Sequence, residues 1–318
     1  MLSCPMVSGL LRIESAGEVQ ANPESVVTAM NPLVAPAPGA AKTTPHQQAL
    51  RFRLRLLQAD VSNFFLLQYS QVDGFLVTAK NSGTHWFKFM LSCAIAAQHG
   101  LAPPEHSNGR EGDAIIGHPR WPRRYPQLPR IGSSHNIPSR AFICPVLRRI
   151  LPYRPTIVLV RDIHQAMLSN FLKWRDKYGV TLSEYVQGDA SGRRYVADAW
   201  WYVHFFNLWG ELARLHPAET LVIRYEDLQL DPATWLRRAG AQFGITLSDA
   251  ALRAGLDYVD REAIRSRLGA RKQEIVPDKA ERAAIAFSPA DEAVLLDILR
   301  RHLKHDFGYG YLGPVSRI

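Results

Sequence analysis

The residues best suited to chemistry in this sequence lie in a short polar loop, Lys80-Asn81-Ser82-Gly83-Thr84-His85, between the apolar run GFLVT and an amphipathic segment. Glycine and small hydroxyl residues between a strand and a helix are typical of phosphate-binding loops, because the loop amides, the helix N-terminus and the hydroxyls all donate hydrogen bonds to an anion. The loop is not a Walker A motif, in which the lysine follows the last glycine. An ordinary helix N-terminus capped by Ser82 or Thr84 is the alternative explanation.

The pattern of apolar segments predicts the elements that would position this loop. Short apolar runs predict buried strands at Phe75–Thr78, 156–160 and 220–225, and longer amphipathic stretches between and after them predict helices. One helix is predicted over Thr84–Gln98, with Gly100 as the residue that ends it. Strands that alternate with helices give a mainly parallel sheet. The predicted fold class is therefore α/β, with a P-loop-like, mainly parallel sheet flanked by helices on both faces.

Composition along the chain predicts one folded domain after a leader. Residues 1–45 are rich in Ala, Pro, Ser and Val and predict a mobile leader, which leaves 46–318 as the domain. Residues 47–68 predict one amphipathic helix, either docked on the domain or lying on a membrane surface through residues 47–57, where three arginines alternate with Leu and Phe. Residues 101–130 are rich in Pro and Gly and predict a long loop that acts as a lid or binding loop.

The charge balance narrows the classes of partner. The 318 residues carry a formal net charge of +9 without a long basic tract, which favours an anionic small molecule or membrane headgroups over nucleic acid. Three cysteines without a CxxC pair do not form a disulfide framework, which favours a reducing compartment. No apolar stretch is long enough to span a membrane, and the first residues do not read as a signal peptide. A cytoplasmic protein, in peripheral contact with a membrane at most, is the prediction.

Three motifs, in this order, resemble those of the sulfotransferases that use 3′-phosphoadenosine 5′-phosphosulfate (PAPS). TAKNSGTHW resembles the loop that holds the 5′-phosphosulfate in that family. VRDIHQAMLS places Arg161 at a strand end with Ser169 eight residues on, as in the pair that holds the 3′-phosphate, and RYEDLQLDP places Tyr225 where the family has a tyrosine near the adenine. The resemblance covers about Phe75 to Leu312. It implies that PAPS is the co-substrate and contacts Lys80, Asn81, Ser82, Gly83, Thr84, His85, Trp86, Arg161, Ser169 and Tyr225.

The same resemblance implies a catalytic base and a catalytic lysine. GSSHNIPS corresponds to the family segment that carries the basic histidine and identifies His135 as the base, a role that suits a side chain titrating near neutral pH. His85 is the rival, and His118 and His164 are weaker candidates. Lys80 is the candidate for stabilising charge on the leaving phosphate.

The sequence departs from the family pattern at three places. Asn81 stands where the family has its loop lysine, and Lys80 lies one position earlier. Ser133 replaces the lysine two residues before the catalytic histidine. The late basic loop that clamps the 3′-phosphate is represented by Arg271 and Lys272, without the matching glycine.

Several alternatives and secondary expectations follow. The implied reaction moves a sulfuryl group to a hydroxyl or amine of a small-molecule or lipid-like acceptor, and it requires no metal. A nucleotide-dependent kinase of related fold and a catalytically inactive anion- or membrane-binding module are the alternatives. The aromatic run WWYVHFFNLW has the spacing of a core helix rather than of a substrate pocket. GYGYLG matches GxGxxG but lacks a following helix, so it does not predict a nucleotide site.

Overall fold

The computed structural model describes residues 44–69, 71–105, 110–119, 121–259 and 285–313. The predicted leader, apart from its last two residues, and the predicted clamp residues Arg271 and Lys272 lie outside these ranges. The elements, numbered along the described chain, are α1 Pro45–Ser62, α2 Phe65–Gln68, β1 Gly74–Thr78, α3 Thr84–Gln98, α4 Arg110–Ile115, β2 Ile131–Ser134, β3 Thr156–Val160, α5 Ile163–Tyr178, α6 Leu182–Gln187, α7 Ala199–Leu215, β4 Thr220–Arg224, α8 Tyr225–Leu230, α9 Pro232–Gln242, α10 Asp249–Val259 and α11 Pro289–His302.

The four strands form one parallel sheet in the order β2-β1-β3-β4. Successive side chains of a strand point to opposite faces, and the two faces are covered by two separate hydrophobic cores. Phe75 and Val77 enter the core shared with α1, α5, α7 and α11, whereas Leu76 enters the core shared with α3, α9 and α10. Because both faces are covered, β1 and β3 are buried along their whole length, which explains their continuous apolar sequences. The predicted α/β class is confirmed.

The segment predicted as one helix over 47–68 forms two helices instead. Thr44 and Gln47 form a capping box that starts α1 at Pro45. The chain leaves helical geometry at Asn63, whose side chain donates to the carbonyl of Ile137 at 2.7 Å. The inner face of α1 is docked on the domain: Phe52 is buried and its ring lies 5.1 Å from that of Trp200. None of the helices within the described ranges is long and apolar enough to cross a membrane.

The aromatic run forms α7, and the prediction that it belongs to the core is confirmed. Asp198 caps the helix by accepting a hydrogen bond from the Trp201 amide at 2.9 Å. Its aromatic side chains are buried in the α1, α5 and α11 core, at positions Trp200, Trp201, Tyr202, Phe205, Phe206 and Trp209.

The sequence predicted a long loop over the whole of 101–130, but this segment contains the helix α4. Asp113 of α4 forms a salt bridge of 2.6 Å with Lys88 of α3, and both side chains are mostly buried. Ser92 also donates to the Gly112 carbonyl at 3.3 Å. These contacts attach α4 to α3, so the described part of this segment is a packed layer over the domain rather than a free lid.

Candidate active site

The parallel sheet brings the predicted catalytic residues to one edge. Val77 of β1 pairs with Ser134 of β2, and Thr78 pairs with Leu159 of β3. The residues that follow the three strands therefore emerge side by side, at the carboxyl edge where α/β sheets bind ligands. The polar loop, His135 and Arg161 all lie there, although they are far apart in sequence.

The loop between β1 and α3 turns through two residues in the left-handed region. Asn81 has φ 59° and Gly83 has φ 83°, a conformation that Asn tolerates and Gly adopts freely. A side chain at Gly83 is excluded by space as well, because a Cβ there would lie 2.4 Å from the Tyr225 ring. The turn buries Ser82 completely, and its hydroxyl has no hydrogen-bond partner among the described residues. An orphaned buried donor on such a loop indicates a ligand.

Arg161 closes one side of the loop. Its Nη1 donates to the Asn81 carbonyl at 3.0 Å, and its guanidinium lies 4.8 Å from the centre of the Tyr225 ring. Its Nε is buried and has no partner within the described chain. Trp86 packs edge-on against the same tyrosine at 5.9 Å. Ser169 is half-buried on α5, and no described hydrogen bond joins it to Arg161.

His135 is oriented by Thr78, the last residue of β1. Its Nδ1 lies 2.9 Å from the Thr78 carbonyl oxygen and 3.0 Å from the Thr78 hydroxyl, which in turn bonds to the Thr84 hydroxyl at 2.7 Å. A carbonyl only accepts, so Nδ1 carries the proton and Nε2 keeps its lone pair.

The surroundings of His135 keep it neutral. The residue is exposed, so the protein desolvates its ring only in part, and Lys80, His85 and Lys173 add positive charge. Desolvation and these cations lower the pKa of His135 well below its ordinary value, against the opposing effect of the bond to Thr78. A neutral imidazole with a lone pair on Nε2 can accept a proton at neutral pH, but a lowered pKa also reduces the driving force for that transfer.

The other candidate histidines are placed differently. His85 is exposed at the start of α3, close enough to lower the pKa of His135. His118 is buried, and its Nε2 lies 3.1 Å from the carbonyl of Ser133. His164 lies 3.8 Å from Asp162 and packs against Tyr311. Only His85 therefore remains beside His135 as a rival.

Lys80 points its ammonium group at the segment before α7. Its Nζ donates to the Val196 carbonyl at 2.8 Å and lies 5.2 Å from the centre of the Trp201 ring. Burial, followed by the charge of Arg55, lowers the pKa of Lys80 to about 8, and Asp198 acts in the opposite direction. The backbone of this lysine is held too, because the Tyr202 hydroxyl donates to the Lys80 carbonyl at 2.9 Å.

Asn81 stands at the position where the family has a lysine, and its neutral side chain supplies no charge there. Burial raises the pKa of Tyr202, and the Asn81 side chain lies near enough to that hydroxyl to act in the opposite direction. The Asn81 carbonyl accepts from Arg161 at 3.0 Å. The residue therefore ties the loop to the end of β3. Lys88, another cation near the loop in sequence, is committed to Asp113.

A hydrogen-bond network at the ends of β3 and β4 was not predicted from the sequence. Glu226 accepts from the Asp162 amide at 3.0 Å and from the Tyr309 hydroxyl at 2.5 Å. Tyr311 donates to the Asp162 carboxylate at 2.6 Å and accepts from the Ile163 amide at 2.7 Å. GYGYLG thus supplies two tyrosines to the strand ends rather than a glycine loop for a nucleotide. The acidic residue after Tyr225 in RYEDL was the available signal.

Thr78 and Lys173 were also missed as members of the site. Thr78 could have been noticed as a polar residue ending an apolar strand, directly before the loop. Lys173 gave no local signal, because it is an exposed residue of α5 that approaches His135 only in the folded chain. Among the described residues, no group of His, Cys, Asp and Glu side chains is arranged to hold a metal ion.

The sequence profile of the family described as Sulfotransferase family matches residues 40–249. No curated protein sequence matches the chain. Solved structures similar to it include a mouse sulfotransferase complexed with PAP, with 16% identity, coverage of 80% of this chain and 90% of that chain, and a TM-score of 0.49. A retinol dehydratase in complex with androsterone and the inactive cofactor PAP has 13% identity, coverage of 80% and 88%, and a TM-score of 0.41. A sulfotransferase from Alicyclobacillus acidocaldarius has 16% identity, coverage of 67% and 98%, and a TM-score of 0.33.

Proposed function

The chain belongs to the sulfotransferase family, and we propose that it transfers a sulfuryl group from PAPS to a hydroxyl or amine of a small or lipid-like acceptor. The observation that carries the proposal is the pair of orphaned buried donors, the Ser82 hydroxyl within the loop and the Arg161 Nε beside it. Buried polar groups are almost always paired, and a co-substrate with two charged ends would offer a partner to each. The residues present therefore fit a phosphorylated co-substrate.

The loop and Arg161 would hold the two charged ends of PAPS. The amides of the left-handed turn at Asn81–Gly83, the Ser82 hydroxyl and the start of α3 offer donors to the 5′-phosphosulfate. The Arg161 guanidinium, with Ser169 farther along α5, would serve the 3′-phosphate through charge-assisted hydrogen bonds. Tyr225 and Trp86, packed edge to face beside Arg161, provide a surface for the adenine.

His135 is the proposed base. Bound co-substrate supplies an activated sulfuryl group, and its leaving group is a phosphate. His135 Nε2 would accept the proton of the acceptor hydroxyl or amine as the new bond to sulfur forms, while Thr78 keeps Nδ1 protonated and the ring in place. The structure has the Lys80 ammonium bonded to the Val196 carbonyl, so stabilisation of the leaving phosphate by Lys80 requires its flexible stem to leave that carbonyl and turn toward the loop.

Calorimetric binding of adenosine 3′,5′-bisphosphate and of AMP, both without metal, tests the nucleotide assignment. We expect the bisphosphate to bind much more tightly than AMP, because only it offers a 3′-phosphate to Arg161. Arg161→Ala should weaken bisphosphate binding by about tenfold or more, since a buried phosphate would lose its charged partner. Arg237→Ala is the matched control, because this arginine is ion-paired with Asp249 on the surface.

Two results would contradict the assignment. Equal affinity for AMP and the bisphosphate would show that Arg161 does not bind the 3′-phosphate. Tighter binding of ATP with Mg²⁺ than of the bisphosphate would favour the kinase alternative.

A further inference from the structure

The outer face of α1 is an exposed apolar stripe. Leu50, Leu54, Leu57 and Val61 are 52%, 58%, 56% and 79% exposed. Their spacing of four, three and four residues places all of them on one side of the helix, opposite Phe52, which is buried against α7. Scattered apolar residues on a surface are ordinary, but a continuous stripe marks an interaction site.

A second group of exposed apolar residues lies in the turn at 146–150, which follows the segment that Arg140 bonds to α1. Val146 and Ile150 are 71% and 74% exposed, and Leu147 is 39% exposed. The segment before the turn is fixed to the end of α1, because Arg140 forms a salt bridge of 2.6 Å with Asp60. The stripe on α1 is here named the apolar face, and the turn is a second exposed apolar group after the segment bonded to α1.

The charged side chains of α1 are mostly basic, and the nearby Asp297 of α11 is already paired with Arg301. Arg51 and Arg53 are exposed on either side of the stripe, and Arg149 is exposed within the turn. The only acidic residue of α1 is Asp60, which is already committed to Arg140. A second copy of this face would therefore meet it with like charges, whereas a lipid surface bearing anionic headgroups would meet it with opposite ones.

We propose that the apolar face is a docking surface for membranes that contain anionic lipids. The stripe would insert at the boundary of headgroups and acyl chains, as amphipathic interfacial helices do, and the arginines would lie among the headgroups. The docking does not depend on the reaction, since it uses residues outside the candidate active site.

The inner side of the same helix holds the segment that follows His135. The Asn63 side chain donates to the Ile137 carbonyl at 2.7 Å, and the Ser139 amide donates to the Asn63 carbonyl at 2.9 Å. An α-helix with its side chains is about 10 Å thick. A docked membrane would thus be separated from the segment that follows the proposed base by about the thickness of this helix.

Vesicle flotation of the full chain tests the proposal. We expect the protein to float with vesicles of phosphatidylcholine and phosphatidylglycerol and to float much less with phosphatidylcholine alone. Leu54→Ser combined with Leu57→Ser should lower the partition coefficient by about tenfold or more, because two exposed side chains lose their insertion. Leu230→Ser is the matched control, since Leu230 is 85% exposed on α8, and it should float like the wild type. Arg51→Gln combined with Arg53→Gln should weaken flotation and reduce its salt dependence.

Flotation of the double serine variant equal to that of the wild type would overturn the proposal. So would a wild-type protein that ignores anionic vesicles but forms a dimer in sedimentation analysis that the double serine variant loses, because the occupant would then be a second copy. Bisphosphate binding, measured on the same variants, should be unchanged, so failure of the docking is distinguishable from failure of the nucleotide assignment.

Discussion

A backbone carbonyl decides which nitrogen of His135 carries the proton. Because the Thr78 carbonyl accepts from Nδ1 at 2.9 Å, no carboxylate is needed to set the tautomer, and the cations nearby favour the neutral ring. The strand that positions the phosphate loop therefore also positions the base. The carboxyl end of β1 thus positions both the base, through Thr78, and the loop that follows it.

We expect His135→Ala to abolish transfer while leaving the affinity for the bisphosphate nearly unchanged, because a base acts on the acceptor and not on the nucleotide. Steady-state kinetics and calorimetry measure the two effects separately. His85→Ala is the comparison, since His85 is exposed at the start of α3 and its charge acts on His135. Full turnover in His135→Ala with loss of turnover in His85→Ala would reverse the assignment.

The pH profile should show a base that is neutral over an unusually wide range. The pKa of His135 is lowered, so its Nε2 is available at pH 7, and activity should fall only as the pH drops through this lowered value. We expect the acid limb of kcat/KM for PAPS to lie below pH 6.5. The limb of kcat should lie at higher pH, because bound anionic co-substrate offsets the nearby cations and raises the pKa. An acid limb of kcat/KM above pH 6.5 would contradict this account.

Lys80 should matter more than its neighbour Asn81. Loss of a charge-stabilising donor in such a site typically lowers turnover by about 10²–10³, so we expect Lys80→Ala to lower kcat by roughly that factor, with a smaller effect on bisphosphate affinity. Asn81→Ala should cost much less, since Asn81 contributes no charge. An unchanged kcat in Lys80→Ala would mean that its bond to Val196 is its whole role.

At the scale of elements, the loop depends on one glycine that touches Tyr225. Gly83→Ala would place a Cβ at φ 83° and 2.4 Å from the tyrosine ring, so the ring beneath Arg161 must move. We expect a loss of stability beyond the roughly 1–2 kcal/mol of the left-handed conformation itself, together with weaker bisphosphate binding. Denaturant unfolding and calorimetry measure these quantities.

Gly100→Ala is the control for that substitution. Gly100 also has a positive φ of 62°, but a Cβ there would meet nothing within 4 Å. It should show only the conformational cost and retain full bisphosphate affinity. Equal effects of the two substitutions would show that contact with Tyr225 is unimportant.

The elements were largely predictable, because their signals are local. The apolar runs predicted most of β1, the whole of β3, and β4 with one residue too many, and the sequence predicted the ends of α3 and the left-handed Gly100 that follows it. The break after α1 was not predictable, since Asn63 is held by the carbonyl of Ile137, 74 residues away. The direction of Lys80 was missed for the same reason, because its acceptor is 116 residues away.

At the scale of the whole molecule, residues 1–43 should be dispensable. The described domain begins with the capping box of Thr44, so we expect a chain that starts at Thr44 to fold and to bind the bisphosphate like the full chain. Removal of residues 1–45 would also take away this cap and should cost about 1 kcal/mol. Circular dichroism melting measures the stability of the two truncated chains, and calorimetry measures their affinity for the bisphosphate. A chain beginning at Thr44 that is insoluble or melts many degrees lower would show that the leader is packed.

The tyrosine bonds at the strand ends carry a consequence for synthesis of the protein. Tyr311 binds Asp162 across 149 residues of sequence, and Tyr309 binds Glu226 across 83. Neither bond can form before its tyrosine has been synthesised. Nearly half of the chain must therefore be synthesised after Asp162 before Tyr311 can fix the end of β3. A chain that ends before Tyr309 should therefore form its sheet without fixing the ends of β3 and β4. We expect such a chain to bind the nucleotide poorly.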